Sequence, residues 1–139
     1  QSNLVMSDVK DRGDDLVQVD CRGTKVVAPR QRDHSSGDRA WLGVRPEKIF
    51  IAAPGSEDTE GANSLEGGVV SDVSFIGVST QYLVRMTWGQ ELMVFEQNTG
   101  QRGRFSSGDK VVLAWHPAHT FMLDADQDAA AGVVREDYA

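Results

Sequence analysis

The sequence predicts an all-β chain, a small and partly closed barrel of about nine short strands. Three observations carry this expectation. Apolar and polar residues alternate with period two along most of the chain, as half-buried strands require. The i, i+3, i+4 spacing of a helix is nowhere sustained for three turns, and turn residues, Gly and Pro above all, interrupt the alternation at short intervals.

Taken in order, the strands are expected at residues 16–20, 24–28, 40–45, 48–52, 65–76, 80–87, 91–97, 109–115 and 119–124. Arg22 and Gly23 separate the first two closely enough for a tight hairpin, with Gly supplying a positive φ. "QRDHSSGDR" (31–39) reads as a loop outside the core, and "APGSEDTEGANS" (53–64), rich in Gly, Pro, Ser and acid, as a surface loop. A second hairpin turns through Trp88, Gly89 and Gln90, and "NTGQRGRFSSG" (98–108) leads into the eighth strand. In "LEGGVVSDVSFIG" the alternation puts Val69, Ser71, Val73 and Phe75 on one face, with Asp72 and Ser74 outward. Gly67 and Gly68 mark a bulge or sharp bend there, which curls a sheet towards closure. "DKVVLAW" is apolar on both faces and is expected to be covered on both sides.

One domain of ordinary size fits 139 residues. It is placed at 14–126, preceded by a leading segment at 1–13, whose Gln1, Ser2 and Asn3 look like a tag remnant. An acidic, Ala-rich tail at 127–139 has little to pack. The formal net charge of −7 argues against nucleic acid as a partner, since phosphate neutralisation needs clustered Lys and Arg. No apolar run reaches the roughly 18 residues that cross a bilayer, so a soluble chain without membrane insertion is expected. The one cysteine, Cys21, cannot close an internal disulfide, which suits a reducing compartment, and with no His beside it in sequence it reads as a packed thiol and not a nucleophile.

Motifs of catalysis are missing: there is no Walker-type phosphate loop, no HExxH, no paired CxxC and no Gly-x-Ser-x-Gly elbow. No catalytic residue, cofactor-binding residue or metal ligand is therefore assigned. The best metal constellation, His116 and His119 with Asp124 and Asp126, offers too few convergent ligands for zinc, although Pro117 bends the chain and could bring the two rings together. Two loop histidines at a corner is the favoured reading. "QRGRF" (101–105) and the acidic "SEDTE" (56–60) read as solvated loops, and Trp115 as core. "LGVRPEKIFIAAPG" (42–55) contains the sharpest feature: Pro46 fixes its own φ and holds Arg45 extended, so Arg45-Pro46-Glu47 is a stiff corner between strands.

In that order, "LGVRPEKI", "LEGGVVSDVSFIGVSTQYLVRM", "ELMVFEQN" and "SSGDKVVLAWHPAHTFML" resemble the C-terminal TOBE region of ABC-transporter ATPase subunits, most of all those of spermidine/putrescine importers. The resemblance covers about residues 14–126. It implies an OB-like, MOP-like barrel that follows an ATPase domain, helps it dimerise and regulates it. It further implies a cytoplasmic location at the inner face of the membrane, a second ATPase subunit and permease subunits as partners, and ATP with Mg²⁺ confined to the ATPase domain. Arg45, Pro46, Glu47, Trp115, His116 and His119 become the candidate regulatory or subunit contacts. Where the family has Trp-x-Pro-Glu this chain has Trp115-His116-Pro117-Ala118, which leaves the transported substrate open among polyamine, iron, sugar and oxyanion. The alternative is a free-standing oxyanion-binding barrel of the molybdate type.

Overall fold

The computed structural model describes residues 1–97 and 104–126. Eleven strands run through them: β1 (Asn3–Arg12), β2 (Leu16–Cys21), β3 (Thr24–Pro29), β4 (Asp33–His34), β5 (Arg39–Val44), β6 (Phe50–Ala52), β7 (Asn63–Ile76), β8 (Ser79–Arg85), β9 (Glu91–Gln97), β10 (Lys110–Trp115) and β11 (Phe121–Asp124). The expected tail at 127–139 and the stretch 98–103 of the eighth strand's approach lie outside the described residues. All-β is the observed class, with more strands than the nine expected.

The described residues fall into two compact units: residues 1–45 with 116–126, and Pro46–Trp115. The first holds a six-stranded sheet in the order β3-β2-β1-β5-β11-β4, the second a five-stranded sheet in the order β6-β10-β7-β8-β9. Residues 3–12, expected ahead of the domain, are the central strand β1, paired with β2 on one side and with β5 on the other from Asn3↔Val44 to Asp8↔Arg39. Alternation is faint at its start because Asn3, Leu4 and Val5 are all buried, which erases the period-two signal that one solvated face provides.

Local chemistry sets the register. Arg22 (φ 52) and Gly23 (φ 93) form the two-residue β2–β3 turn, both with positive φ, and the Gly23 amide donates to Asp20 Oδ1 at 2.9 Å. Gly67 (φ 81) lies where the β7–β10 register shifts, a position that strains any L side chain. A second shift, between Val70 and Asp72 against β8, reverses the parity of β7. Val69 therefore lies opposite Arg85 on the outer side, on the other face from Val73, which pairs with buried Tyr82. Simple alternation puts these valines on one face; the bulge is what separates them. β10 is buried on both faces as expected, from Val111 to Trp115. The strands expected at 48–52 and 119–124 begin late, at Phe50 and Phe121, because Pro46–Lys48 and Pro117–His119 are 3₁₀ turns with Pro leading each.

The two sheets follow one plan. Residues 35–53 (SSGDRAWLGVRPEKIFIAA) and 106–124 (SSGDKVVLAWHPAHTFMLD) share Ser-Ser-Gly-Asp, a Leu, a Pro and a Phe at matched places. The Val9 amide donates to the Asp38 carbonyl at 2.8 Å, and its counterpart Val70 donates to the Asp109 carbonyl at 2.9 Å. In each unit a three-strand meander (β1–β3 or β7–β9) is extended by β5 or β10, and the next strand is exchanged. β6 follows β5 in sequence but pairs with β10, whereas β11 follows β10 but pairs with β5.

Within the second unit the sheet curls until its edge strands β6 and β9 approach one another, the closure of a five-stranded OB-like barrel. Among the described residues no ladder joins them, and Arg104 spans the gap: its Nη2 donates to the Ile51 carbonyl on β6 at 2.8 Å and to Glu96 Oε2 on β9 at 2.9 Å, while its Nε donates to Glu96 Oε1 at 3.1 Å. Its guanidinium lies over the Phe105 ring, 5.0 Å from the centroid, and Phe105 meets Tyr82 edge-on. "QRGRF" was expected to be a solvated loop; its Arg104 is a clasp on the barrel seam.

Candidate functional site

Each candidate contact residue lies at one of two proline corners, where the chain leaves the first unit (Arg45 to Pro46) and where it returns (Trp115 to His116). A Pro at the first position of a 3₁₀ turn gives up no hydrogen bond and starts with the correct φ, so both turns form from local sequence. In the first corner Pro46 is buried, Arg45 half-buried and Glu47 exposed, and the Ile49 amide donates to the Pro46 carbonyl at 3.4 Å. The second is capped by its own histidine. His116 Nδ1 accepts from the Ala118 amide at 3.1 Å, and the His119 and Thr120 amides donate to the His116 and Pro117 carbonyls, each at 3.0 Å.

Because side chains three apart eclipse in a 3₁₀ turn, the His116 and His119 rings meet edge-on, 6.0 Å apart. Pro117 thus does bring the two rings together. Asp124 is engaged elsewhere, accepting from the Ser36 amide (2.8 Å) and hydroxyl (3.2 Å), and among the described residues no three His, Cys, Asp or Glu side chains converge as metal ligands. Trp115 is only 1 % exposed and Pro46 is buried, so these two can shape their corners but offer a partner no surface. Glu47 and His116 are the exposed members.

The stretch 31–39 is not the open loop expected. Asp33 on β4 is buried at its carboxylate, where Arg12 Nε donates to it at 2.7 Å and the Ser35 amide at 2.9 Å. Burial alone would raise this carboxyl, but the bonds from Ser35 and Arg12 outweigh it and hold the carboxyl below its usual range. Burial raises the Cys21 thiol, which is fully enclosed, and with a nearby Glu96 it raises the Tyr82 phenol too.

A carboxyl held low in the folded state adds stability above its unfolded pKa and loses it as pH falls through the folded value. Asp33→Asn is therefore expected to be less stable than the parent at pH 7 by about 3 kcal/mol. The gap should narrow below about pH 4, and thermal melts of both proteins from pH 7 to 3 measure it. A gap that stays constant across that range would remove the ion pair from the account.

The profile of the TOBE domain family matches residues 42–123. The chain belongs to the TOBE domain family.

Its relatives narrow the class. It is 32% identical over 124 residues to the spermidine/putrescine import ATP-binding protein PotA of Thermobifida fusca, an alignment that covers 88% of this chain and 31% of that protein. It is 30% identical over 118 residues to the protein of the same name, PotA 2, of Pseudomonas aeruginosa PAO1, covering 83% of this chain and 32% of the relative. The chain thus spans about a third of the length of these relatives. Among solved structures, the cytoplasmic molybdate-binding protein ModG, in its molybdate-bound form, superposes with a TM-score of 0.73 at 14% identity, over 88% of this chain and 95% of that one. ModG shares the fold.

Proposed function

We propose that this chain is the regulatory and dimerisation portion of the ATP-binding subunit of an ABC importer for polyamines. The observation that carries the reading is the TOBE match together with relatives that are import ATP-binding proteins for spermidine and putrescine. On this reading the segment performs no catalysis. ATP and Mg²⁺ belong to an ATPase domain outside it, and its partners are a second ATPase subunit and the permease subunits at the cytoplasmic face of the membrane.

The corners at Arg45–Glu47 and His116–His119 are the natural places for a signal to pass, because a stiff turn transmits displacement that a loose loop would absorb. Arg45→Ala in the complete ATPase is expected to leave the fold nearly unchanged while shifting the ratio of spermidine uptake to ATP hydrolysis several-fold. Uptake and hydrolysis both at parental values would count against the corner. The oxyanion-binding alternative has a shared fold on its side and nothing more. Calorimetric titration of the chain with molybdate, sulfate and spermidine separates the two, since a storage barrel must bind its oxyanion tightly on its own.

A further inference from the structure

The two proline corners hold the same place in the two matched stretches, with Arg45 answering to His116 and Pro46 to Pro117. They differ in how the turn is finished. Pro117 has no amide hydrogen, so the second turn has the amides of Ala118, His119 and Thr120 to place. The last two go to the His116 and Pro117 carbonyls, each at 3.0 Å, and the Ala118 amide goes to His116 Nδ1 at 3.1 Å. Arg45 has no acceptor in its side chain and cannot serve the first corner in this way. There the Ile49 amide reaches the Pro46 carbonyl only at 3.4 Å. The second corner is the tighter one, and its own imidazole closes it.

An imidazole nitrogen accepts a hydrogen bond only while it carries no proton, so with Nδ1 the acceptor the neutral His116 ring holds its hydrogen on Nε2. A proton added at Nδ1 sets a donor against the Ala118 donor. The ring must then turn away, and the amide is left to water. Histidine is the side chain that makes this change within the neutral range, and His116 is exposed, so protons reach it freely. The turn packs against β3, whose one charged side chain is Lys25, and on the turn itself His119 meets His116 edge-on. Both neighbours are bases, and neither supplies a carboxylate that would hold a protonated ring in place. Trp115 before the turn and Phe121 after it are buried. These anchors confine the loosening to residues 116–120.

We propose that His116 is the positioning residue of the second corner, holding it rigid while neutral and releasing it on protonation. The corner is thereby a pH-sensitive joint. The inference deepens the proposed function and takes its setting from that reading, but its first test needs only the chain. Long-range proton–nitrogen NMR at about pH 8 should find His116 Nδ1 without a proton, and the Ala118 amide proton should move upfield between about pH 8 and pH 5 with the same midpoint as the His116 ring. His116→Asn, whose side-chain oxygen caps without titrating, should hold that amide downfield throughout. His116→Ala should leave it upfield throughout. A proton on Nδ1 at about pH 8, an Ala118 amide that pH does not move, or an alanine variant with the parent's shift at about pH 8 overturns the proposal. In the complete ATPase, the ratio of spermidine uptake to ATP hydrolysis should change several-fold between about pH 8 and pH 6 in the parent and stay level in His116→Asn. A level ratio in the parent, with the NMR result in place, would remove the corner from coupling and leave the cap standing, so the two readings fail separately.

Discussion

Gly43→Ala is expected to cost the protein about 3 kcal/mol or more, lowering its melting temperature by roughly 10 °C. Gly43 on β5 lies directly across from Phe121 on β11, and a Cβ built at Gly43 would overlap the far edge of the Phe121 ring. That ring is fully buried, in a cluster with Leu4, Leu123 and Trp41, and Arg32 lies over its face 5.9 Å from the centroid. It has nowhere to turn, so the strain must move the backbone of one strand. The repeat supplies a control: the matching pair in the second unit is Ala114 and Phe50, and there Phe50 is 36 % exposed and leaves room for a methyl group. The double variant Gly43→Ala with Phe121→Leu should recover part of the loss, with a coupling of more than about 1 kcal/mol in the cycle. A Gly43→Ala protein that melts with the parent would show that the ring yields.

Arg104→Ala should cost about 2 kcal/mol. The ion pair with Glu96 is partly exposed and contributes little by itself, so most of the effect comes from the Ile51 carbonyl and the open seam. Arg104→Lys should restore only part, since a single ammonium cannot hold a bidentate carboxylate and a carbonyl on the other strand in one geometry. Hydrogen exchange is the sharper readout. Amides of β6 and β9 should exchange faster in Arg104→Ala, and those of β2 and β3 should not. Unchanged protection on β6 would mean that the seam is held by packing alone.

Most strands could be read locally because one face was wet and the other dry, as in β8, where Thr80, Tyr82 and Val84 are buried and their neighbours are not. Both short hairpins, the Gly67 irregularity and the two-sided burial of β10 were legible for similar reasons. β1 was not, because burial on both faces removes the alternation. The parity of Val69 was lost to a bulge that adds one residue without changing composition. Arg104 was illegible because its partner Ile51 is 53 residues away. Yet Asp33 and Arg104 hold the same place relative to their Ser-Ser-Gly-Asp turns, and each makes an ion pair, with Arg12 and Glu96 respectively. Aligning the two halves of the chain would have singled both out. Of the candidate site, the prolines declared the corners, but which side chains face outward depended on packing that alternation does not encode.

The exchanged strands have a consequence for synthesis. A ribosome releases β1, β2, β3 and β5 long before β11, so for the whole time the second unit is being made the β5 edge has no permanent neighbour. That edge carries Trp41, Leu42 and Val44, and an unpaired apolar edge is a template for wrong pairing. Its partner there, β11, closes a very long loop, so this pairing carries a large closure entropy and is expected to form late. Truncation just before Phe121 would remove β11 and leave the first sheet unable to cover its β5 edge.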